Sequence, residues 1–149
     1  MANRGNRFRD AVIRLIESWN EPIEIKKEVP VGYRFVNTPR EIDIVLKHKK
    51  LNTYLGIEAK IQETEGTAYQ KLSYTLEDCL TSPITTLIVF SGKHIKNDMK
   101  SKLILSGISI ELDFQSDDIN NENDSVSDPK NLFYQRVCIE LGLDWFHRF

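Results

Sequence analysis

Phe8, Val12, Leu15, Ile16 and Trp19 recur at helical spacing, which predicts an amphipathic first helix ending before Asn20-Glu21-Pro22. Past that proline the period changes to two. Ile23 to Val29 and Tyr33 to Val36 alternate apolar with polar residues and predict one strand, or two broken at Pro30 and Gly32. Further strands are predicted over 42–47 and 54–61, joined by a turn at Lys49-Lys50-Leu51-Asn52. A helix over 67–80 should turn Leu72, Leu76, Cys79 and Leu80 inward, with Ser82-Pro83 as its stop. Ile84 to Phe90 is nearly uncharged and rich in β-branched residues, as suits a strand buried on both faces. A helix near 95–105 ends at Gly107, and Ile108 to Leu112 forms a last strand. The order predicts an α/β sandwich with a mixed sheet flanked by helices.

Residues 115–128 are polar, acidic and poor in large apolar groups, which predicts a mobile linker between a core over 1–114 and a helix over 129–149. Ser127 or Asp128 would cap that helix, with Pro129 in its first turn. Leu132, Phe133, Arg136, Val137, Ile139 and Leu141 give it an apolar side, and Trp145, Phe146 and Phe149 follow. So much apolar surface should pack either on the core or on a second copy.

The chain has 149 residues, 40% of them hydrophobic, enough for one domain with its own core. Cys79 and Cys138 lie at apolar helical positions, a pattern expected of a reducing cytoplasm rather than of a disulfide framework. No apolar run approaches a membrane span. The net charge of −2 hides an asymmetry: residues 1–50 carry +4, 51–110 balance, and 111–149 carry −6. A basic first third could meet phosphates while the acidic end stays clear of them.

Chemistry concentrates in Arg40-Glu-Ile-Asp43 and Ile57-Glu58-Ala59-Lys60. In a strand, Glu58 and Lys60 share one face while Ala59 points to the other. Pairing of the two strands brings Asp43 toward Glu58. Converging carboxylates call for a cation, and hard oxygen ligands suit magnesium or manganese. An ammonium beside such a metal can stabilise a hydroxide or a developing anion, as phosphodiester hydrolysis requires. His48, His94 and His147 show no ligand spacing.

Asp43, Glu58 and Lys60 resemble the D…(D/E)xK signature of the PD-(D/E)XK, or restriction-endonuclease-like, nuclease superfamily. Ile42 stands immediately before Asp43, and Pro39 lies further upstream. A helix opening after Gly66 continues the resemblance, which covers roughly residues 5–112 in the order of elements. It implies a restriction-endonuclease-like core, extended here by the C-terminal helix. It also implies a metal-dependent DNA endonuclease, expected to be a sequence-specific double-strand cutter of restriction or homing type. A Holliday-junction resolvase-like enzyme is the nearest alternative, because Arg4-Gly-Asn-Arg-Phe-Arg9 resembles the start of archaeal resolvases. A silent nucleic-acid-binding module is a third. Asp43, Glu58 and the Ala59 carbonyl would hold magnesium, with manganese as a substitute. Lys60 would position or deprotonate water, with Gln62 on the same face assisting, and in-line attack would leave a 5′ phosphate. Arg40, Lys47, Lys49, Gln70 and Lys71 are expected to contact DNA, Tyr33 to Arg40 and Glu63 to Tyr69 to reach base edges, and two chains to cut the two strands as a homodimer. Asp10 fits an ordinary surface acid of the first helix, although some relatives place a further acidic ligand there.

Overall fold

A computed structural model describes residues 3–35, 37–62, 68–92, 95–119 and 128–148, with the backbone alone described for 35 and 68–71. Helix α1 spans Arg4–Glu17 and starts at Asn3, whose side chain accepts from the Asn6 backbone N–H. Phe8, Val12 and Ile16 of the predicted stripe are buried, joined by Ala11, while Leu15 and Trp19 pack against the core only partly buried. Strands β1 (Ile23–Phe35), β2 (Thr38–His48) and β3 (Tyr54–Ile61) form an antiparallel meander. Helix α2 (Ala68–Leu80) leads to β4 (Thr86–Ser91), and α3 (Asn97–Leu105) leads to β5 (Ser109–Glu111). β4 runs parallel to β3 on one side and to β5 on the other, so the sheet is mixed, in the order β1-β2-β3-β4-β5.

Both parallel crossovers step the same way across the sheet. Because such connections are right-handed, α2 and α3 fall on one face. Leu72, Leu76 and Cys79 of α2 pack there with Met99 and Leu103 of α3 on Ile88 and Phe90. The other face carries α1 and α4 (Pro129–Leu141), which cover Ile44, Leu46, Leu55, Ile57, Leu87 and Val89. β4 is buried at every position, as its composition predicts.

Pro30 and Gly32 do not end β1. The strand passes them as a register shift against β2, with Gly32 at φ +65°. Leu80, expected inward, is exposed, because the buried stripe of α2 is complete at Cys79. In α4 the buried positions are Phe133, Tyr134, Val137, Cys138 and Leu141, one face of a helix. Leu132 and Ile139 lie off that face and are half exposed, while Arg136 binds Glu140 and the Gly107 carbonyl. The helix packs back on the core, capped by Asp128, whose carboxylate accepts from the Lys130 N–H.

A mobile stretch is expected from Gln115 onward, yet the chain first makes a hairpin of β6 (Phe114–Gln115) and β7 (Asp118–Ile119). Ser116 and Asp117 both have positive φ, +52° and +61°, as a tight two-residue hairpin loop requires. Phe114 and Ile119 bury their side chains in the α1 core, and Arg7 of α1 pairs with Asp117 at 3.1 Å. Two buried apolar residues anchor a segment whose composition is otherwise polar. Residues 120–127 lie outside the described residues.

Candidate active site

The Cα register of β2 and β3 runs from Lys47–Tyr54 to Ile44–Ile57 and stops, whereas β2 stays paired with β1 well beyond. The two strands therefore part at Asp43. Its side chain fills the gap, since Oδ2 accepts from the Ala59 backbone N–H at 2.9 Å. A buried strand N–H needs a partner, and here a carboxylate replaces the missing backbone carbonyl. Beside this level of β1, Glu28 holds φ +53°, an uncommon conformation for a residue with a side chain, and pairs with Arg9 at 2.9 Å.

Glu58 and Lys60 follow from strand alternation. Leu55, Ile57 and Ala59 enter the α1 core, so Gly56, Glu58 and Lys60 face α2. Gly56 is a close approach: a Cβ there would meet Thr86 Oγ1 at 2.7 Å. Lys60 Nζ lies 3.2 Å from Glu58 Oε2 and 3.6 Å from Asp43 Oδ2. The sequence-predicted trio thus converges. Glu58 is only 3% exposed, and its Oε1 is buried without a hydrogen-bond partner.

Burial, then the Asp43 charge, push the Glu58 carboxyl up from 4.5 to about 7 against the pull of Lys60. For Lys60, burial acts downward, but Asp43 and Glu58 outweigh it and raise the ammonium above its usual range. A carboxyl raised in the folded state binds its proton there while the unfolded chain has released it. The metal-free protein should therefore lose stability as pH rises from about 4.5 to about 7. Glu58→Gln removes that loss, worth about 3 kcal/mol at most. Its melting temperature above pH 7 should exceed the parent's by several degrees in EDTA, measured by calorimetry across pH. Equal melting curves at pH 5 and pH 8 for the parent would contradict the burial argument.

A cavity of about 650 Å³ opens beside the trio, lined by Arg34, Glu58, Lys60, Tyr74, Thr75, Glu77, Asp78 and Thr81. Tyr74, Thr75, Glu77 and Asp78 share one side of α2, and Thr81 follows its last residue. Sequence reasoning missed them, although Tyr74, Glu77, Asp78 and Thr81 repeat at helical spacing opposite Leu72, Leu76 and Cys79.

Among the described residues, Arg40, Lys47 and Lys49 do not line this cavity. Arg40 is 3% exposed and donates to Asp78 Oδ1 from Nε at 3.1 Å and from Nη2 at 2.8 Å. It ties β2 to α2. Arg34, 3.2 Å from Asp78 Oδ2, takes the cavity wall instead. Lys47 donates to the His48 and Leu51 carbonyls, fastening the β2–β3 turn at the far end of the strands from Asp43. Lys49 sits exposed in that turn. His48 is structural there, with Nδ1 accepting from the Lys50 and Leu51 N–H groups. Gln62 follows β3 and donates its N–H to Ser91 O at 2.9 Å. Gln70 and Lys71 lie on α2, but their side chains, like residues 63–67 and His94, lie outside those described. Asp10 pairs with Arg9 at 3.3 Å and Lys27 at 3.8 Å.

The donor set fits a hard divalent ion. Two carboxylates, one with a buried unpartnered oxygen, match the habit of magnesium, which keeps several waters and takes few protein ligands. Among the described residues no cluster of three or more His, Cys, Asp or Glu side chains could hold a metal.

The PD-(D/E)XK nuclease superfamily domain model matches residues 4–123, which is most of the chain. The chain belongs to the PD-(D/E)XK nuclease superfamily. The restriction-endonuclease-like fold expected of that superfamily is the one observed. The crystal structure of AF1548, a protein of unknown function, is similar at a TM-score of 0.50 and 16% identity, over 93% of this chain and 73% of that one. A repair endonuclease from Pyrococcus abyssi is similar at a TM-score of 0.46 and 9% identity, over 77% of this chain and 48% of that one. No curated protein matches the chain. Superfamily membership supports nuclease activity and a nucleic acid as substrate, with a divalent metal as the general cofactor of such enzymes. Among the described residues no helix is long and apolar enough to cross a membrane.

Proposed function

We propose that this chain is a metal-dependent DNA endonuclease. The observation that carries the reading is the convergence of Lys60 Nζ on both Asp43 and Glu58 where β2 parts from β3. Asp43 and Glu58, with the Ala59 carbonyl, would hold one magnesium or manganese ion, which would neutralise phosphate charge and acidify water. Lys60 positions the attacking water and sets a positive charge against the phosphoryl oxygens as they gain charge. Water attacks phosphorus, the bond to the 3′ oxygen breaks, and that oxygen takes a proton, leaving a 5′ phosphate. Gln62, just beyond the end of β3, would hold a neighbouring phosphate oxygen.

Sequence-specific cutting of both strands by a pair of chains is the finer form of this proposal. With Arg40 committed to Asp78, base reading from β1 and β2 would fall to Tyr33 and Arg34. Incubation with plasmid, phage DNA and a four-way junction, with and without magnesium, tests both levels. Discrete bands with common ends support the restriction or homing form. Cleavage confined to junctions replaces it with the resolvase form. No cleavage of any substrate sinks the endonuclease reading and leaves a binding module.

A further inference from the structure

The cavity beside Lys60 is much too small for a duplex, yet its volume of about 650 Å³ suits one small-molecule-sized group. Its walls are not those of a phosphate channel. Glu77 lies on the α2 side, and its charge opposes a second phosphate near the one that Lys60 would meet, while Asp78 is offset by Arg34 and Arg40. Tyr74, 65% exposed, offers an aromatic face on the same wall, with the Thr75 and Thr81 hydroxyl groups nearby. Arg34, held at 3.2 Å by Asp78, brings a planar guanidinium from β1. An aromatic ring, a guanidinium plane, hydroxyls and a carboxylate able to accept from an exocyclic amine are the groups that recognise an unstacked base. Glu58 and Lys60 belong both to this wall and to the trio, so a base lodged here has its own phosphate at the catalytic groups.

We infer that the cavity receives one unpaired nucleobase, so that the preferred substrate is DNA with an extruded or unpaired nucleotide beside the scissile phosphate, an inference that rests on the endonuclease reading. Enzymes that lodge a single base favour sites where it is already unpaired, because extrusion from a duplex costs unstacking and unpairing energy. A matched duplex would have to supply that cost at each event.

The test compares a matched duplex, the same duplex with one bulged nucleotide, and the corresponding single strand, all cleaved in magnesium by the full chain. The bulged and single-stranded forms should be cut roughly ten-fold faster or more, Tyr74→Ala should lose about that factor on them, and Tyr74→Phe should keep it. In calcium, a 2-aminopurine at the bulge should lose fluorescence on binding to the parent and to Tyr74→Phe, but not to Tyr74→Ala. Equal cleavage of matched and bulged DNA overturns the inference and leaves the endonuclease standing. Tyr74-dependent quenching without cleavage of any substrate supports the base pocket and sinks the endonuclease. A preference that persists unchanged in Tyr74→Ala, without quenching, overturns the inference.

Discussion

Lys60→Ala should cut DNA at least about 10²- to 10³-fold more slowly than the parent, while binding DNA in calcium with little change. The expectation follows from where the ammonium sits. It lies 3.2 and 3.6 Å from two carboxylates, at the half-buried C-terminal end of β3, so on the proposed mechanism its charge faces the scissile phosphate. A group that acts on the reacting atoms, rather than on the rest of the substrate, should lower the chemical step and leave affinity nearly intact. Glu58→Ala should differ in kind, because on the proposed mechanism it also removes a metal ligand and so should weaken magnesium binding. Single-turnover rates with enzyme in excess, alongside fluorescence anisotropy in calcium, separate the two. Lys60→Arg should rescue little, since a planar guanidinium cannot occupy the position of a compact ammonium between two carboxylates. Parental rates from Lys60→Ala would remove the assignment.

Glu58 and Lys60 were legible because strand alternation alone sets them on one face, and the apolar run around them marks the strand. The approach of Asp43 to Glu58 was legible from strand pairing, but the way the fold delivers Asp43 was not. Its delivery depends on β2 leaving β3 after Ile44, and a departure of two strands leaves no mark in the hydrophobic pattern. Arg40 shows a different limit. A basic residue three positions before the acid reads as a phosphate ligand, and only its pairing with Asp78, 38 residues along the chain, reveals a buried tie. The cavity face of α2 was visible as a polar helical stripe, yet such a stripe ordinarily faces water. It faces a chamber here because β1, carrying Arg34, extends beyond the point where β2 leaves β3. Helix α1 and strand β4 were the most legible elements, since each has one unbroken pattern. In α4 the buried face includes Tyr134 and Cys138, and the apolar Leu132 and Ile139 beside it blurred the stripe.

Activity should require magnesium or manganese and vanish in EDTA, whereas calcium should support binding with little turnover. Two carboxylates and a buried unpartnered Glu58 oxygen favour a small hard ion that retains waters, one of which can serve as the nucleophile. Calcium binds the same oxygens at longer and looser distances, so it can neutralise the site without aligning that water. The fit also sets a pH dependence. With the Glu58 carboxyl pushed up to about 7, an incoming ion must displace its proton at any pH below that value. Magnesium affinity should therefore weaken as pH falls from 8 to 6, with protons released on binding. Isothermal titration at each pH, in two buffers of different ionisation enthalpy, measures both quantities, and Glu58→Gln should show neither the proton release nor the pH dependence. Full activity in EDTA would sink the metal mechanism. An affinity independent of pH would show instead that Glu58 does not hold the ion.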